Sequence, residues 1–147
     1  MITSGVYPVF DNEFKIETTP AEGQTPAVMS TIADCTSFSV SVNNGIEEWT
    51  PMTTGGWTRR LQTAKSLSIT LSAKRNVGDV GNDYVAGLAY KTGQETYSNF
   101  EWDLPNGDKV TFHCVVNVTG LGGDSTAVDA LEVEILSDGA VTFTPAV

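Results

Sequence analysis

The chain is short of the residues that most catalytic and metal-binding sites need, and each shortage closes a class of function. It has two cysteines, Cys35 and Cys114, too few for a disulfide scaffold or a cysteine-based zinc site. They read as reduced, buried thiols. It has one histidine, His113, which excludes chemistry needing two. No Gly-x-Ser-x-Gly stands near it, so no nucleophile triad is expected. Positive charge is scarce: eight Lys plus Arg face eighteen Asp plus Glu, for a net charge of -10. Such a surface repels phosphates and does not bind DNA non-specifically. The longest apolar runs are only a few residues, so no transmembrane helix is expected. The stretch Met1-Ile-Thr-Ser-Gly-Val-Tyr-Pro8 lacks a basic and then apolar region, so no signal peptide is expected. There is no internal repeat. The residues argue for a non-catalytic domain without metal, cofactor or membrane contact.

What is present is enough for one domain, residues 1–147. A chain of this size buries roughly two-thirds of its unfolded surface and needs no staple. Most of it alternates with period two, the signature of half-buried strands. From Cys35 to Asn43, Phe38, Val40 and Val42 alternate with serines, and Asn43-Asn44-Gly45 suits a type I′ turn. Ser66 to Arg75 is the clearest strand, with Leu67, Ile69, Leu71 and Ala73 on one side and hydroxyls on the other. Tyr97 to Leu104 and Lys109 to Leu121 flank the hairpin signal Pro105-Asn-Gly-Asp108. Leu131 to Leu136 is followed by Ser137-Asp-Gly139, read as a third hairpin turn, then Ala140 to Thr144. Val6 to Phe10 and Phe14 to Glu17 are weaker strand candidates.

Only one segment reads as helix, over 82–92. Asn82 or Asp83 would cap it, Tyr84, Val85, Leu88 and Ala89 would face the core, and Gly93 would follow its end. One helix on seven or eight antiparallel strands is a mainly β domain, a β-sandwich or open barrel with one short flanking α-helix. Two segments are too long for tight turns, 18–34 and 44–65.

Chemistry-bearing motifs are weak. Gly120-Leu-Gly-Gly-Asp-Ser-Thr126 lacks the lysine of a phosphate loop and reads as structural. Asp79-Val-Gly-Asn-Asp83 lacks the spacing of a calcium loop and reads as a helix cap. Trp102 shares the inward face of Phe100 and Leu104, while Trp49 and Trp57 flank the long polar loop. Those two are either interface anchors or pins that hold the loop. Arg59, Arg60, Lys65, Lys74 and Arg75 are five of the eight basic residues, all within a short stretch. The acidic pairs Glu47-Glu48, Glu101/Asp103 and Glu132/Glu134 lie elsewhere. That separation suits a head-to-tail contact between copies.

The run Glu47-Glu-Trp-Thr-Pro-Met-Thr-Thr-Gly-Gly-Trp57-Thr-Arg-Arg-Leu-Gln-Thr-Ala-Lys-Ser-Leu67 resembles the major tail (tail tube) proteins of long-tailed, non-contractile bacteriophages. The resemblance continues through Ser68-Ile-Thr-Leu-Ser-Ala-Lys-Arg-Asn76, Gly81-Asn-Asp-Tyr-Val-Ala-Gly-Leu88, Phe100-Glu-Trp102, Phe112-His-Cys-Val-Val-Asn-Val-Thr119 and Gly122-Gly-Asp-Ser-Thr126 to Phe143-Thr-Pro145. It implies the tail tube fold, hexameric rings that stack into a tube, and a loop, mapping onto 44–65, that reaches the adjacent ring. Partners would be further copies of the chain and other tail proteins (tape measure, tail terminator, distal tail). The location would be the virion, after assembly in the bacterial cytoplasm. DNA would pass through the lumen without specific binding.

On that resemblance, Glu47, Glu48, Trp49, Trp57, Arg59, Arg60, Lys65, Lys74 and Arg75 are candidates for a subunit or ring-to-ring interface. Glu101, Asp103, Glu132 and Glu134, or alternatively the hydroxyl face with Ser68 and Thr70, are candidates for lining the lumen. The competing class is a monomeric β-sandwich carbohydrate-binding or adhesin module that stacks sugars on Trp49 and Trp57. A hydrolase using Glu101 and Asp103 as a carboxylate pair is the third.

Overall fold

The structure is a computed structural model, and it describes residues 5–18 and 29–146. Among the described residues the strands are β1 (Glu13–Glu17), β2 (Met29–Thr31), β3 (Cys35–Trp49), β4 (Arg59–Lys74), β5 (Tyr97–Asp103), β6 (Lys109–Gly122) and β7 (Ala130–Thr144), with one α-helix, α1 (Val80–Gly87), between β4 and β5. All seven strands form one antiparallel sheet in the order β2-β1-β5-β6-β7-β4-β3. The protein is mainly β with one short helix, as expected. The two layers expected of a sandwich are two halves of this single curled sheet. Phe38 on β3 packs against Phe14 on β1, although β1 and β3 lie near opposite ends of the strand order.

The apolar side of the alternation lines the inside of the curl. Ile16, Phe100, Ile69, Leu71, Leu131 and Ile135 are fully buried there. Each contributes about 1.5–3 kcal/mol by leaving water. Trp102 packs against this core, as its sequence face predicts. The helix, with Val85 and Ala86, and Leu88 just past its end close one mouth of the barrel. Gly81 lets the helix backbone lie against Thr31, where a Cβ would collide with the Thr31 carbonyl.

Several local readings are corrected. Asn43-Asn44-Gly45 is not a turn: β3 runs straight through it and stays paired with β4 as far as Trp49↔Arg59. Gly45 is needed there for close approach, since an added Cβ would lie 2.9 Å from the Ala64 Cβ. Gly45 pairs with Ala64 and Ile46 with Gln62, so Thr63 is the extra residue of a bulge. The segment 44–65 is therefore a two-stranded arm rather than an irregular loop. Its turn is 50–58, where Gly55 and Gly56 take φ of 62° and 93°. Thr54 closes it by donating its hydroxyl to the Trp57 carbonyl at 2.7 Å.

Ser137-Asp-Gly139 is likewise a bulge inside β7. Cys114 pairs with Ser137 and Phe112 with Val141, so β7 carries two residues more than β6 over that stretch. The helix starts earlier than 82. Asp79 caps it, accepting from the Asn82 N–H at 3.0 Å, and a 3-10 turn, Leu88–Tyr90, ends it. Gly93 opens a separate 3-10 turn. Val6 to Phe10 is not a strand, and a 3-10 turn, Val9–Asp11, stands there instead. Within the expected loop 18–34, Met29–Thr31 forms β2, and residues 19–28 lie outside the described residues.

Candidate functional site

Register decides what the outer face of the barrel presents. Directly paired residues share a face, so the pairs can be followed across the sheet. Ser41, Ser39 and Ser37 on β3 sit beside Ser68, Thr70 and Ser72 on β4. Thr70 and Ser72 sit beside Glu134 and Glu132 on β7. Glu134 sits beside Asn117 on β6. Further along the same face of β6, Thr111 and Lys109 lie beside Glu101 and Asp103 on β5, which in turn lie beside Lys15 and Glu13 on β1. The hydroxyl face and both acidic pairs, alternatives in the sequence, are one surface.

Its polar groups are tied to one another. The Ser72 hydroxyl donates to Glu132 Oε1 at 2.8 Å, and Asn117 Nδ2 donates to Glu134 at 3.5 Å. Glu101 and Asp103 form a tighter cluster. Lys15 Nζ lies 3.3 Å from Asp103 and 3.8 Å from Glu101. Lys109 Nζ lies 3.5 Å from Glu101. Burial and the neighbouring Asp103 hold the Glu101 carboxyl above its ordinary value, with Lys109 and Lys15 pulling the other way. Burial pushes the Lys15 ammonium down, but Asp103 and Glu13 outweigh it and its pKa is raised. With both carboxylates clamped by lysines, the pair has the geometry of a salt cluster. Along the described strands the face carries six carboxylates (Glu13, Glu17, Glu101, Asp103, Glu132, Glu134) against three lysines (Lys15, Lys74, Lys109). The sequence reading missed Lys15, Lys109 and the Ser37/Ser39/Ser41 row. The serine alternation was visible, but its neighbours were not.

The interface candidates divide between two ends of β4. Glu47, Glu48, Trp49, Trp57, Arg59, Arg60 and Lys65 all lie on the arm and are exposed. Arg60 Nε donates to Glu48 Oε1 at 2.9 Å, so this acid and base meet within one chain. Arg59 lies over one face of the Trp49 ring, 5.7 Å from its centroid. No carboxylate lies within salt-bridge distance of Arg59 among the described residues. Trp57 is 79% exposed and Met52, also on the arm's turn, is fully exposed. Lys74 and Arg75 sit at the other end, beside the helix. Lys74 is exposed. Arg75 is half-buried, and its Nη1 donates to Asn82 at 2.9 Å and to Asp83 at 2.8 Å.

Cys114 is buried as expected, while Cys35 is only half-buried. Burial pushes Cys114 up to about 12, and burial with the nearby Asp34 and Asp79 pushes Cys35 up to about 11. No cluster of metal-ligating side chains occurs among the described residues, and no helix there is long and apolar enough to cross a membrane.

The single curled sheet with a helix at one mouth is a fold found in solved particle tails. A chain from the tail of an empty gene transfer agent particle with C6 symmetry superposes with a TM-score of 0.73 at 19% identity, covering 95% of this chain and 100% of that one. A chain from the virion of a native gene transfer agent particle gives 0.75 at 19% identity with the same coverage. No protein-family model and no curated protein matches the chain.

Proposed function

We propose that the chain is a non-enzymatic structural subunit of a phage-like tail, which assembles into stacked rings and so builds a tube for DNA. The observation that carries this reading is the end-to-end likeness to a chain of a C6-symmetric tail. Six copies would close a ring. Closure would cover the sheet's two edge strands, β2 and β3, which otherwise invite uncontrolled pairing. The outer face of hydroxyls and carboxylates would line the bore, with Glu101, Asp103, Glu132, Glu134, Ser68 and Thr70 facing DNA. An excess of carboxylates repels phosphates, so DNA slides without releasing counterions or sticking. The arm would reach the next ring, and a head-to-tail contact without closure along the axis extends the tube. The remaining partners would be the other tail proteins, and the place of action the virion after assembly in the host cytoplasm.

Light scattering and negative-stain images of one purified sample test this. Rings or hollow tubes are expected. A monomer or a closed dimer at every concentration and salt would count against it, and binding to a glycan panel would favour the adhesin reading.

A further inference from the structure

We infer that the cleft beside helix α1 is the socket for the tip of the arm from a second copy of the chain. The inference rests on the tail-tube reading above and names the two surfaces that would join its rings. The cleft has a volume of about 330 Å³ and lies between the helix and the end of the β6–β7 pair. Ala86, Leu121 and Tyr90 line its apolar part, and Arg75, Asp83 and Asp129 its polar part. Its size falls at the small end of the clefts that hold a ligand or anchor side chain, about 300–1,000 Å³. Leu121 and Tyr90 are exposed, at 45% and 82%, so among the described residues nothing covers this part of the wall.

The arm tip has the complementary inventory. Trp57 and Met52 project exposed from the turn, and Arg59 beside them lies over the Trp49 ring with no carboxylate in salt-bridge distance among the described residues. The Asp129 carboxylate has no ion-pair partner among the described residues, while Asp83 is matched by Arg75. Seating Trp57 against Leu121 and Ala86 would set Arg59, whose charge meets only the Trp49 ring in its own arm, near the unpaired Asp129 carboxylate. Trp and Arg are the residues that most often anchor such contacts.

Geometry selects a second copy. The tip and the cleft lie at opposite ends of β4, Arg59 at one and Lys74 at the other. Sixteen extended residues hold them roughly 50 Å apart. No chain can fill its own socket, and a tip-to-socket contact is heterologous, which propagates as a filament.

The test mixes two single-substitution proteins, Trp57→Cys and Leu121→Cys, under mild oxidation, with wild type as the control for Cys35. A disulfide joining positions 57 and 121 of different copies is expected in preference to like-with-like dimers. In parallel, Arg59→Asp and Asp129→Arg should each raise the critical concentration for assembly about thirtyfold, the scale of a hot-spot residue. The double variant should restore it. These positions are exposed, and unchanged urea midpoints will verify folding. Wild-type tubes with no 57–121 cross-link, and equal assembly by Arg59→Asp, would overturn the socket and leave the tube reading standing. No assembly by wild type together with no cross-link between copies would overturn both.

Discussion

The rings of Phe14 and Phe38 meet edge to face with centroids 4.9 Å apart, although four strands separate β1 from β3 in the sheet. This contact, with Trp102 against both rings, is where the curled sheet meets itself. Edge-to-face geometry adds to what burial alone supplies. Phe14→Ala should therefore destabilise the fold by about 3–5 kcal/mol, the range for a buried Phe. Urea denaturation followed by tryptophan fluorescence checks it. A loss under about 1 kcal/mol would mean the contact does not hold the curl.

Asn82 should prove the most sensitive polar residue. It is fully buried. Its Oδ1 accepts from Arg75 and from the Asn76 N–H, and its Nδ2 donates to the carbonyls of Ala33 and Lys74. That one amide ties α1 to the start of β3 and the end of β4. Asn82→Asp keeps the two acceptor contacts and loses both donors, leaving two carbonyls facing a carboxylate. A loss of at least about 1–3 kcal/mol is expected. Thermal melts of Asn82→Asp beside Asn82→Ala measure it.

The charge cluster on β1, β5 and β6 makes stability depend on pH in two windows. Glu101 keeps its proton to higher pH in the folded state than in the unfolded chain. The folded state then binds more protons between the ordinary carboxylate range and the raised value, so stability falls as pH rises through that window. Lys15 is also raised, so its contribution is full below the ordinary lysine value and lost as pH climbs through the folded one. Urea midpoints across the acid and alkaline ranges should show both falls. Glu101→Gln should lack the first and Lys15→Met the second.

Reversing charge on the outer face should separate assembly from passage. Glu132→Lys with Glu134→Lys replaces two carboxylates on β7 without touching the core, since both point away from Val133 and Ile135. On the tube reading, tubes should still form, and they should retain DNA at low salt and release it as salt rises. Co-sedimentation with linear DNA decides it. Tubes that ignore DNA in both forms would place this face away from the bore.

The strands of the barrel body were legible because each is buried on one side, which writes period two into Ser66 to Arg75 and Lys109 to Leu121. Two turn signals misled for a shared reason. Asn44-Gly45 and Asp138-Gly139 offer a backbone that suits a hairpin and a bulge equally, and only the partner strand chooses. β6 continues past Asp138, so β7 bulges instead of reversing. The arm escaped period analysis because it is exposed on both faces, Ile46 and Leu61 included. β2, at three residues, is too short to leave a pattern. The acids and hydroxyls of the outer face were all visible as residues. Their union was not, because it depends on pairings such as Thr70↔Glu134 and Lys15↔Glu101, which link distant stretches of chain.

The pairing of β1 with β5 has a consequence for synthesis. Ile16 waits for Phe100, more than half the chain away. A ribosome releases β1 first and its partner long afterwards, so Phe14 and Ile16 stand unshielded while β3 and β4 can already zip together. Closing so large a loop costs entropy before any contact repays it, which places barrel closure among the slow folding events, on the order of milliseconds to seconds. During that interval the nascent chain is open to off-pathway association through β1, and a factor that holds this short segment during translation would raise the yield of folded subunits.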